Sequence, residues 1–176
     1  MSTEEDTVQE KKTISLKTSD DEVFELEENV AMEFGTVKAF FGDDGVPRDM
    51  MMPIPNVHSK ELTRIIDFCT KHLDLKPKAE LDEAGKKELR KFYKEYMKED
   101  TTERIMELIL AADYLNVNDF LDLLNQTVAD RISNKSVEYV RKLFGIESDY
   151  TPEEEEALRE QYAWAFEGVD EDPAED

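Results

Sequence analysis

Two histidines and one cysteine are the side chains of this sequence best suited to metal binding or nucleophilic chemistry. Cys69 and His72 lie three positions apart, so a helix would place both on one face, where they could share a metal ion. Structural zinc sites usually have about four protein ligands, and the sequence holds no second cysteine to complete one. A buried cysteine beside a histidine is therefore the favoured interpretation, and we predict no metal ion and no cofactor.

Other signatures of catalysis are weak. The six glycines are scattered and match neither a dinucleotide-binding nor a phosphate-binding loop. The stretch GDDGVPRD at 42–49 resembles a calcium-binding loop superficially, but its acids fall at the wrong positions, so we predict a plain loop. With His58 and His72 alone, there is little material for a Ser–His–Asp arrangement. The sequence therefore predicts a protein that is not an enzyme.

The first third of the chain predicts a small sheet. TISLKT at 13–18 alternates apolar and polar residues, as a half-buried strand does, and VFEL at 23–26 is predicted as its hairpin partner. Two short helices should follow, broken at Gly35. The proline-containing stretch 52–56 is predicted as an edge strand at most, because proline cannot donate a ladder hydrogen bond.

The middle of the chain predicts helices. One should begin with Ser59 as its cap, and another, at 87–98, would carry aromatic residues on one face and lysines on the other. The segment 103–115 is apolar on nearly every side, which predicts a buried central helix. The segment 74–86 contains a proline and a glycine and has no apolar period, so we predict a flexible link there.

Three further helices are predicted from the residues at their ends. Asn118 and Ser136 can cap the first two, and Gly145 is of the type that ends a helix. The last helix should begin at Thr151, with a proline in its first turn and Glu154 as the acid of a capping box. Strands come first and helices later, without a repeated βα unit, which predicts an α+β fold.

Charge and composition narrow the range of partners. The 176 residues are 39% hydrophobic and 38% charged, and the net charge is −22. Such a surface would repel nucleic acid and anionic membranes, so neither is an expected partner. The single cysteine fits a reducing compartment, and no apolar leader or long apolar run is present. We therefore expect a soluble intracellular protein, in the cytoplasm and nucleus.

Apolar helix faces are in excess in the last third of the chain. The final helix carries Tyr162, Trp164 and Phe166 close to an acidic tail that could not cover them. Exposed apolar helices are typical of protein-binding surfaces, so we predict that Trp164 is exposed until a partner buries it. Three residues of the preceding helix are instead expected to pack inside the protein itself: Val137, Val140 and Leu143.

The sequence contains, in this order between Thr13 and Glu167, the stretches TISLKTSDDEVFEL, PIPNVHSKELTRIIDFCTKH, ELILAADYLNVNDFLDLLNQTVADRI and FGIESDYTPEEEEALREQYAWAFE. They resemble the Skp-type adaptor family of SCF (Skp–cullin–F-box) ubiquitin ligases. The resemblance implies a BTB/POZ-like domain with a C-terminal helical extension. The implied organisation is a disordered leader at 1–12, the BTB/POZ-like domain at 13–132 with the flexible link at 74–86, F-box-binding helices at 133–168 and an acidic tail at 169–176.

The resemblance also implies a function. The chain would be a non-catalytic adaptor that links F-box proteins to a cullin in the ubiquitination pathway. By position, the family's cullin-facing pair falls on Asp113 and Tyr114, although the family usually has Asn at the first of these. The resemblance leaves open whether the free protein forms a homodimer. The F-box-facing apolar residues fall on Ile109, Leu121, Val128, Ile132, Phe144, Ile146, Leu158 and Trp164.

Two other functions fit parts of the sequence. An acidic chaperone for histones or other basic proteins would explain the net charge and the segment 153–176, which holds eleven acids and one base. Such a chaperone needs neither helix caps nor ordered apolar stripes. An elongin-like BTB adaptor would leave the C-terminal helices unexplained. The SCF adaptor is therefore preferred, and salt separates it from the chaperone because histone binding should weaken steeply with ionic strength.

Overall fold

The computed structural model describes residues 12–42 and 51–171. The predicted leader up to residue 11, the predicted loop from 43 to 49 and the tail from 172 lie outside the described residues. Within the described ranges there are three strands, eight α-helices and one 3-10 helix. They are β1 (Thr13–Thr18), β2 (Val23–Glu27), α1 (Glu28–Ala31), α2 (Gly35–Phe41), β3 (Met51–Ile54), α3 (Ser59–Leu81), α4 (Glu83–Tyr96), α5 (Thr102–Leu115), α6 (Asn118–Ile132), α7 (Val137–Phe144), α8 (Pro152–Gln161) and the 3-10 helix Ala163–Phe166.

The sheet has the order β2-β1-β3. β1 is antiparallel to β2, with Leu16 opposite Phe24, and parallel to β3, with Leu16 opposite Met52. The apolar residues of β1 are buried, as the alternating pattern predicted. β3 is an edge strand, which is where Pro53 costs no ladder hydrogen bond. The predicted α+β fold, mostly helical with a small sheet, is therefore confirmed.

The described chain divides into two compact units, which meet in sequence between Leu124 and Asn125, inside α6. The end of the first domain predicted from the resemblance, Ile132, lies later in the same helix. The first unit has a closed apolar core to which the sheet and α2, α3, α5 and the start of α6 contribute. Its largest fully buried side chains are Phe34, Phe68, Phe120, Ile14, Leu16, Ile54, Leu62, Ile65, Ile105, Leu108, Leu115 and Leu124.

The start of α3 is held by the turn between β1 and β2. The carboxylate of Asp20 accepts hydrogen bonds from the Ser59 backbone N–H at 2.9 Å and from the Ser59 hydroxyl. Both hydrogen bonds hold the pKa of Asp20 well below its ordinary value, and the bond from the Ser59 hydroxyl has the larger effect. The prediction that Ser59 is the cap was wrong: His58 is the N-cap residue, and the capping oxygen comes from a distant part of the chain.

The prediction of a flexible link at 74–86 was also wrong, because this segment is helical. α3 continues through Pro77 to Leu81, and α4 begins at Glu83 after one intervening residue, Asp82. The Asp82 carboxylate caps α4 by accepting the Gly85 N–H at 2.7 Å. A Cβ at position 85 would lie 2.1 Å from the carbonyl oxygen of Lys78, so glycine here lets the two backbones touch. The glycine serves a close helix approach rather than flexibility.

Aromatic packing fixes α4 and α6 to α3. The ring of Phe68 on α3 stacks on Phe120 of α6 at 4.4 Å between centroids and on Phe92 of α4 at 5.8 Å. The guanidinium of Arg64 lies 3.7 Å from the centroid of the Tyr96 ring, and the Tyr96 hydroxyl donates to the Arg64 carbonyl at 2.6 Å. The aromatic face predicted for 87–98 is therefore the face by which α4 packs.

The central helix α5 is less buried than predicted. Ile105, Leu108 and Leu115 are fully buried, but Leu110 is 74% exposed and Met106 is exposed as well. One side of this helix faces the core and the other carries apolar residues in contact with solvent. Apolar character on all sides of a helix therefore did not mean burial on all sides here.

The second unit begins at Asn125 and contains short helices with well-defined ends. The Ser136 hydroxyl accepts the Tyr139 N–H at 3.0 Å to cap α7, and Gly145 ends that helix with φ at 62°. Thr151 and Glu154 form the predicted capping box at the start of α8. No residue in 125–171 is buried.

No helix within the described ranges has the length and apolar character needed to cross a bilayer.

Phe68 is predicted to be a main determinant of stability. Replacing it with Ala should lower the free energy of unfolding by about 3–5 kcal/mol, because the ring is fully buried between three helices. Urea denaturation followed by circular dichroism measures this change. Leu81→Ala, on the same helix but 82% exposed, is the matched control and should change stability by less than about 0.5 kcal/mol. Equal effects of the two substitutions would contradict the assigned core.

Candidate functional site

Large apolar side chains that are exposed to solvent are more numerous from α5 onward, on the helices and on the segments that connect them, than before α5. None of the eight residues predicted to face an F-box is buried. In the first unit, Ile109 of α5 and Leu121 of α6 are half-buried. In the second unit, Ile146 and Trp164 are exposed, and four further residues are half-buried: Val128, Ile132, Phe144 and Leu158. All eight are therefore accessible to a partner in the free chain.

α7 and α8 are joined by charged contacts rather than by a buried core. Arg141 pairs with Glu155 at 2.5 Å, and Arg159 pairs with Glu138. The Ser148 hydroxyl and Arg141 lower the pKa of the Glu155 carboxyl through hydrogen bonds. These pairs fix the two helices without covering their apolar faces. The Arg141–Glu155 pair is half-buried and the Arg159–Glu138 pair is exposed, so the first should contribute more than the second to holding the two helices together.

The predicted burial of α7 inside the protein was wrong. Val137 is exposed, and Val140 and Leu143 are only half-buried. Val137 lines a depression of about 150 Å³ together with Leu158 and Phe166. A two-turn helix beside one other short helix has too few neighbours to bury its apolar face, so these residues extend the accessible apolar surface.

Trp164 is 73% exposed, as predicted, although its local structure differs from the prediction. α8 ends at Gln161, and Trp164 lies in the 3-10 helix Ala163–Phe166 rather than at the end of α8. Phe166 is half-buried, and the guanidinium of Arg159 lies 5.1 Å from its ring centroid. The second unit therefore partly buries the Phe166 side chain by its own contacts, whereas the Trp164 side chain is exposed to solvent.

The segment after Gly168 is tied to the rest of its unit. The Asp170 N–H donates to the Asn134 carbonyl at 2.8 Å, and the Lys135 ammonium lies 3.9 Å from the Asp170 carboxylate. The predicted acidic tail from residue 169 therefore begins with an ordered contact to the turn between α6 and α7. This contact holds Asp170 beside Asn134 and Lys135.

The residues predicted to face a cullin lie at the end of α5. Asp113 is exposed and Tyr114 is half-buried. The Tyr114 carbonyl accepts the Thr36 hydroxyl at 2.7 Å, which holds this end of α5 against α2. Sequence reasoning missed Met106 and Leu110, which recur with Asp113 at helical spacing on the exposed side of α5. The available signal was a helix with more apolar residues than a single buried face requires.

Groups suited to catalysis are poorly placed for it. Burial raises the pKa of the Cys69 thiol to about 12, so the thiolate is not available as a nucleophile. His58 is exposed, and its Nδ1 lies 2.7 Å from the Ser19 hydroxyl oxygen. His72 is buried. The thiol and one of the two imidazoles are thus enclosed in the core of the first unit.

Comparison with known proteins gives matches over most of the chain. Residues 12–74 match the Skp1 family, tetramerisation domain, and residues 118–165 match the Skp1 family, dimerisation domain. SKP1-like protein 16 of Arabidopsis thaliana is 45% identical over 89% of this chain and 96% of its own length. SKP1-like protein 1A of the same plant is 45% identical, over 89% and 98%. SKP1-like protein 1 of Oryza sativa subsp. japonica is 43% identical, over 90% and 97%.

The single tryptophan gives a direct test of this surface in the free chain. Trp164 fluorescence should have the red-shifted emission of an exposed indole and should be quenched efficiently by acrylamide, a neutral quencher that the acidic surface does not repel. Trp164→Ala should leave the melting temperature nearly unchanged, because little apolar contact is lost. Blue-shifted emission together with a marked loss of stability would place the tryptophan in the protein's own core instead.

Proposed function

The chain belongs to the Skp1 family, and we propose that it is the adaptor that links F-box substrate receptors to the cullin scaffold of an SCF-type ubiquitin ligase. The observation that carries this function is the helical extension at 125–171, which folds with defined caps and yet buries none of its residues. An extension of this kind stabilises little by itself. Its apolar faces would be buried by contact with another protein.

The F-box surface that we propose consists of the eight residues identified by resemblance, together with Val137, which lies beside Leu158. Each large apolar side chain that an F-box helix covers would contribute about 1.5–3 kcal/mol. Trp164 is the strongest candidate for a central contact, because it is large, exposed and held on an ordered 3-10 helix. The half-buried residues of the proposed surface would contribute shape and exclude water.

The cullin surface that we propose is the exposed end of α5. Tyr114 offers an aromatic ring that is partly accessible, and the carbonyl bond to Thr36 fixes the backbone beneath it. Asp113 adds a negative charge at a position where the family resemblance implies a neutral Asn. Leu110 lies one turn away and would extend the apolar part of this surface.

We also propose that the chain has no catalytic activity, binds neither nucleic acid nor membrane, and works in the cytoplasm and nucleus. The protonated, buried Cys69 supports the absence of thiol catalysis, and the net charge of −22 supports the exclusion of nucleic acid and anionic membranes. The alternative of an acidic histone chaperone has no support from the related proteins. It would also leave the exposed apolar residues of the extension without a role.

The F-box surface is tested by binding a tryptophan-free F-box segment to the full chain. Binding should shift Trp164 emission to the blue, and Trp164→Ala should weaken binding by about 1–3 kcal/mol through lost apolar contact. Calorimetry measures the affinity at low and high salt. Leu81→Ala, equally apolar and exposed but outside the surface, is the control and should bind normally. Binding that falls steeply with salt and ignores Trp164→Ala would favour the acidic chaperone.

The cullin surface is tested with Tyr114→Lys, which should weaken cullin binding and leave F-box binding intact. Asp113→Asn should strengthen cullin binding if the opposing cullin surface is acidic or neutral, because a repelled or desolvated charge is removed. Surface plasmon resonance measures cullin binding with the adaptor–F-box complex immobilised, and F-box binding with the F-box segment alone immobilised. Unchanged cullin binding in Tyr114→Lys would mean that this face is wrongly assigned. A parallel loss of F-box binding would point to misfolding.

A further inference from the structure

We propose that the first unit binds a divalent transition-metal ion, with Zn²⁺ as the best fit, through Glu33, His72 and Asp119. This site shares no residue with either proposed protein-binding surface. The three residues come from different elements: Glu33 from the turn after α1, His72 from α3 and Asp119 from the first turn of α6. Their nearest ligand atoms, one per residue, all lie within 4.8 Å of one another.

The distances suit a metal ion after a small adjustment. Ligand atoms at Zn–N and Zn–O distances of about 2.1 Å in tetrahedral geometry lie about 3.4 Å apart. Asp119 is exposed and Glu33 is half-buried, so both carboxylates have room to move by the remaining distance. The histidine is the fixed ligand. Its ring stacks on Phe68 at 5.3 Å between centroids, which sets the direction of its nitrogens.

His72 is buried and its ring faces a carboxylate. Its side chain is only 3% exposed, and its Nδ1 lies 3.7 Å from a carboxylate oxygen of Asp119, which is too long for a hydrogen bond. A metal ion between the imidazole and the carboxylate would bind both groups at this spacing.

The surroundings fit an exchangeable site rather than a closed structural one. A cavity of about 340 Å³ adjoins the three residues and is lined by Asn116 and Asn118, both of which are exposed. Solvent can therefore reach the metal position and supply the remaining ligands as water. One imidazole with two carboxylates suits Zn²⁺, Co²⁺ or Ni²⁺, whereas Mg²⁺ prefers a set of oxygen ligands.

Lys76 competes for the same site. Its ammonium lies 2.7 Å from the Asp119 carboxylate oxygen that also faces His72. A metal ion must displace this ammonium, so the affinity of the natural chain should be moderate. Removing the ammonium should strengthen metal binding, which is the reverse of what removing a ligand does. This opposition separates the site from weak ion binding by the acidic segments of the chain.

Sequence spacing gave no hint of this set. It paired His72 with Cys69, but the thiol is not among the clustered ligand atoms. The high pKa of Cys69 also disfavours the thiolate that zinc would need. The ligands that meet the histidine come from positions 33 and 119, which only the packing of α1 and α6 against α3 brings together. Metal binding would tie these three elements to one another.

The experiment is a calorimetric titration of the chelator-treated full chain with ZnCl₂. We expect one site, lost or weakened at least about tenfold in Asp119→Asn, Glu33→Gln and His72→Gln. Asp122→Asn, an exposed acid on the same helix, is the matched control and should bind as the natural chain does. Lys76→Met should bind more tightly. Zn²⁺ should raise the melting temperature of the natural chain but not that of Asp119→Asn.

Several outcomes would overturn the proposal. Zn²⁺ binding that is unchanged in Asp119→Asn and Glu33→Gln would show adventitious binding by other acids. Loss of binding in Cys69→Ser would show a thiolate site instead. Weaker binding in Lys76→Met, displacement of Zn²⁺ by equimolar Mg²⁺, or no saturable site at all would each contradict the assigned ligands. The two carboxylate variants keep the test decisive even if His72→Gln fails to fold, because neither removes a buried side chain.

Discussion

Phe68 occupies the point where three helices of the first unit meet. Its ring is fully buried and stacks on Phe120 of α6, on Phe92 of α4 and on His72 of its own helix. Through Phe120 this contact fixes the first turn of α6, the helix that continues into the second unit. The positions of Asp119 and Leu121, on either side of Phe120, depend on the same contact. Core packing at one ring thus sets both the proposed metal site and the start of the proposed F-box surface.

The second unit has a different physical basis. Its helices are short and it buries no residue, so its order depends on caps and on charged pairs such as Arg141 with Glu155. Capping interactions contribute about 1 kcal/mol each and cannot replace a core. The sequence of such a unit specifies its helices through local interactions. Binding to a partner would provide the apolar burial that the unit lacks by itself. The apolar residues that give it function are the ones that a self-sufficient domain would have buried.

Local rules predicted much of this structure. The alternation in β1, the caps at Ser136 and Thr151 and the exposure of Trp164 all follow from short-range patterns. The errors arose where residues that no local pattern connects are in contact. Gly85 indicates flexibility by residue type alone, whereas its role is a close contact with the Lys78 backbone across the junction of α3 and α4. Likewise, no local pattern states that Glu33 and Asp119 lie beside His72.

The hydrogen bond from the Asp170 N–H to the Asn134 carbonyl closes a loop of the chain in the second unit. The two residues are far apart in sequence, and the loop consists of the segment between them. The entropy lost in closing such a loop rises only with the logarithm of its length. The exposed connection at 147–150, between α7 and α8, can therefore accept added residues at small cost to the closure. Differences in length among proteins built on this plan should accumulate there, while α7, α8 and their caps remain unchanged.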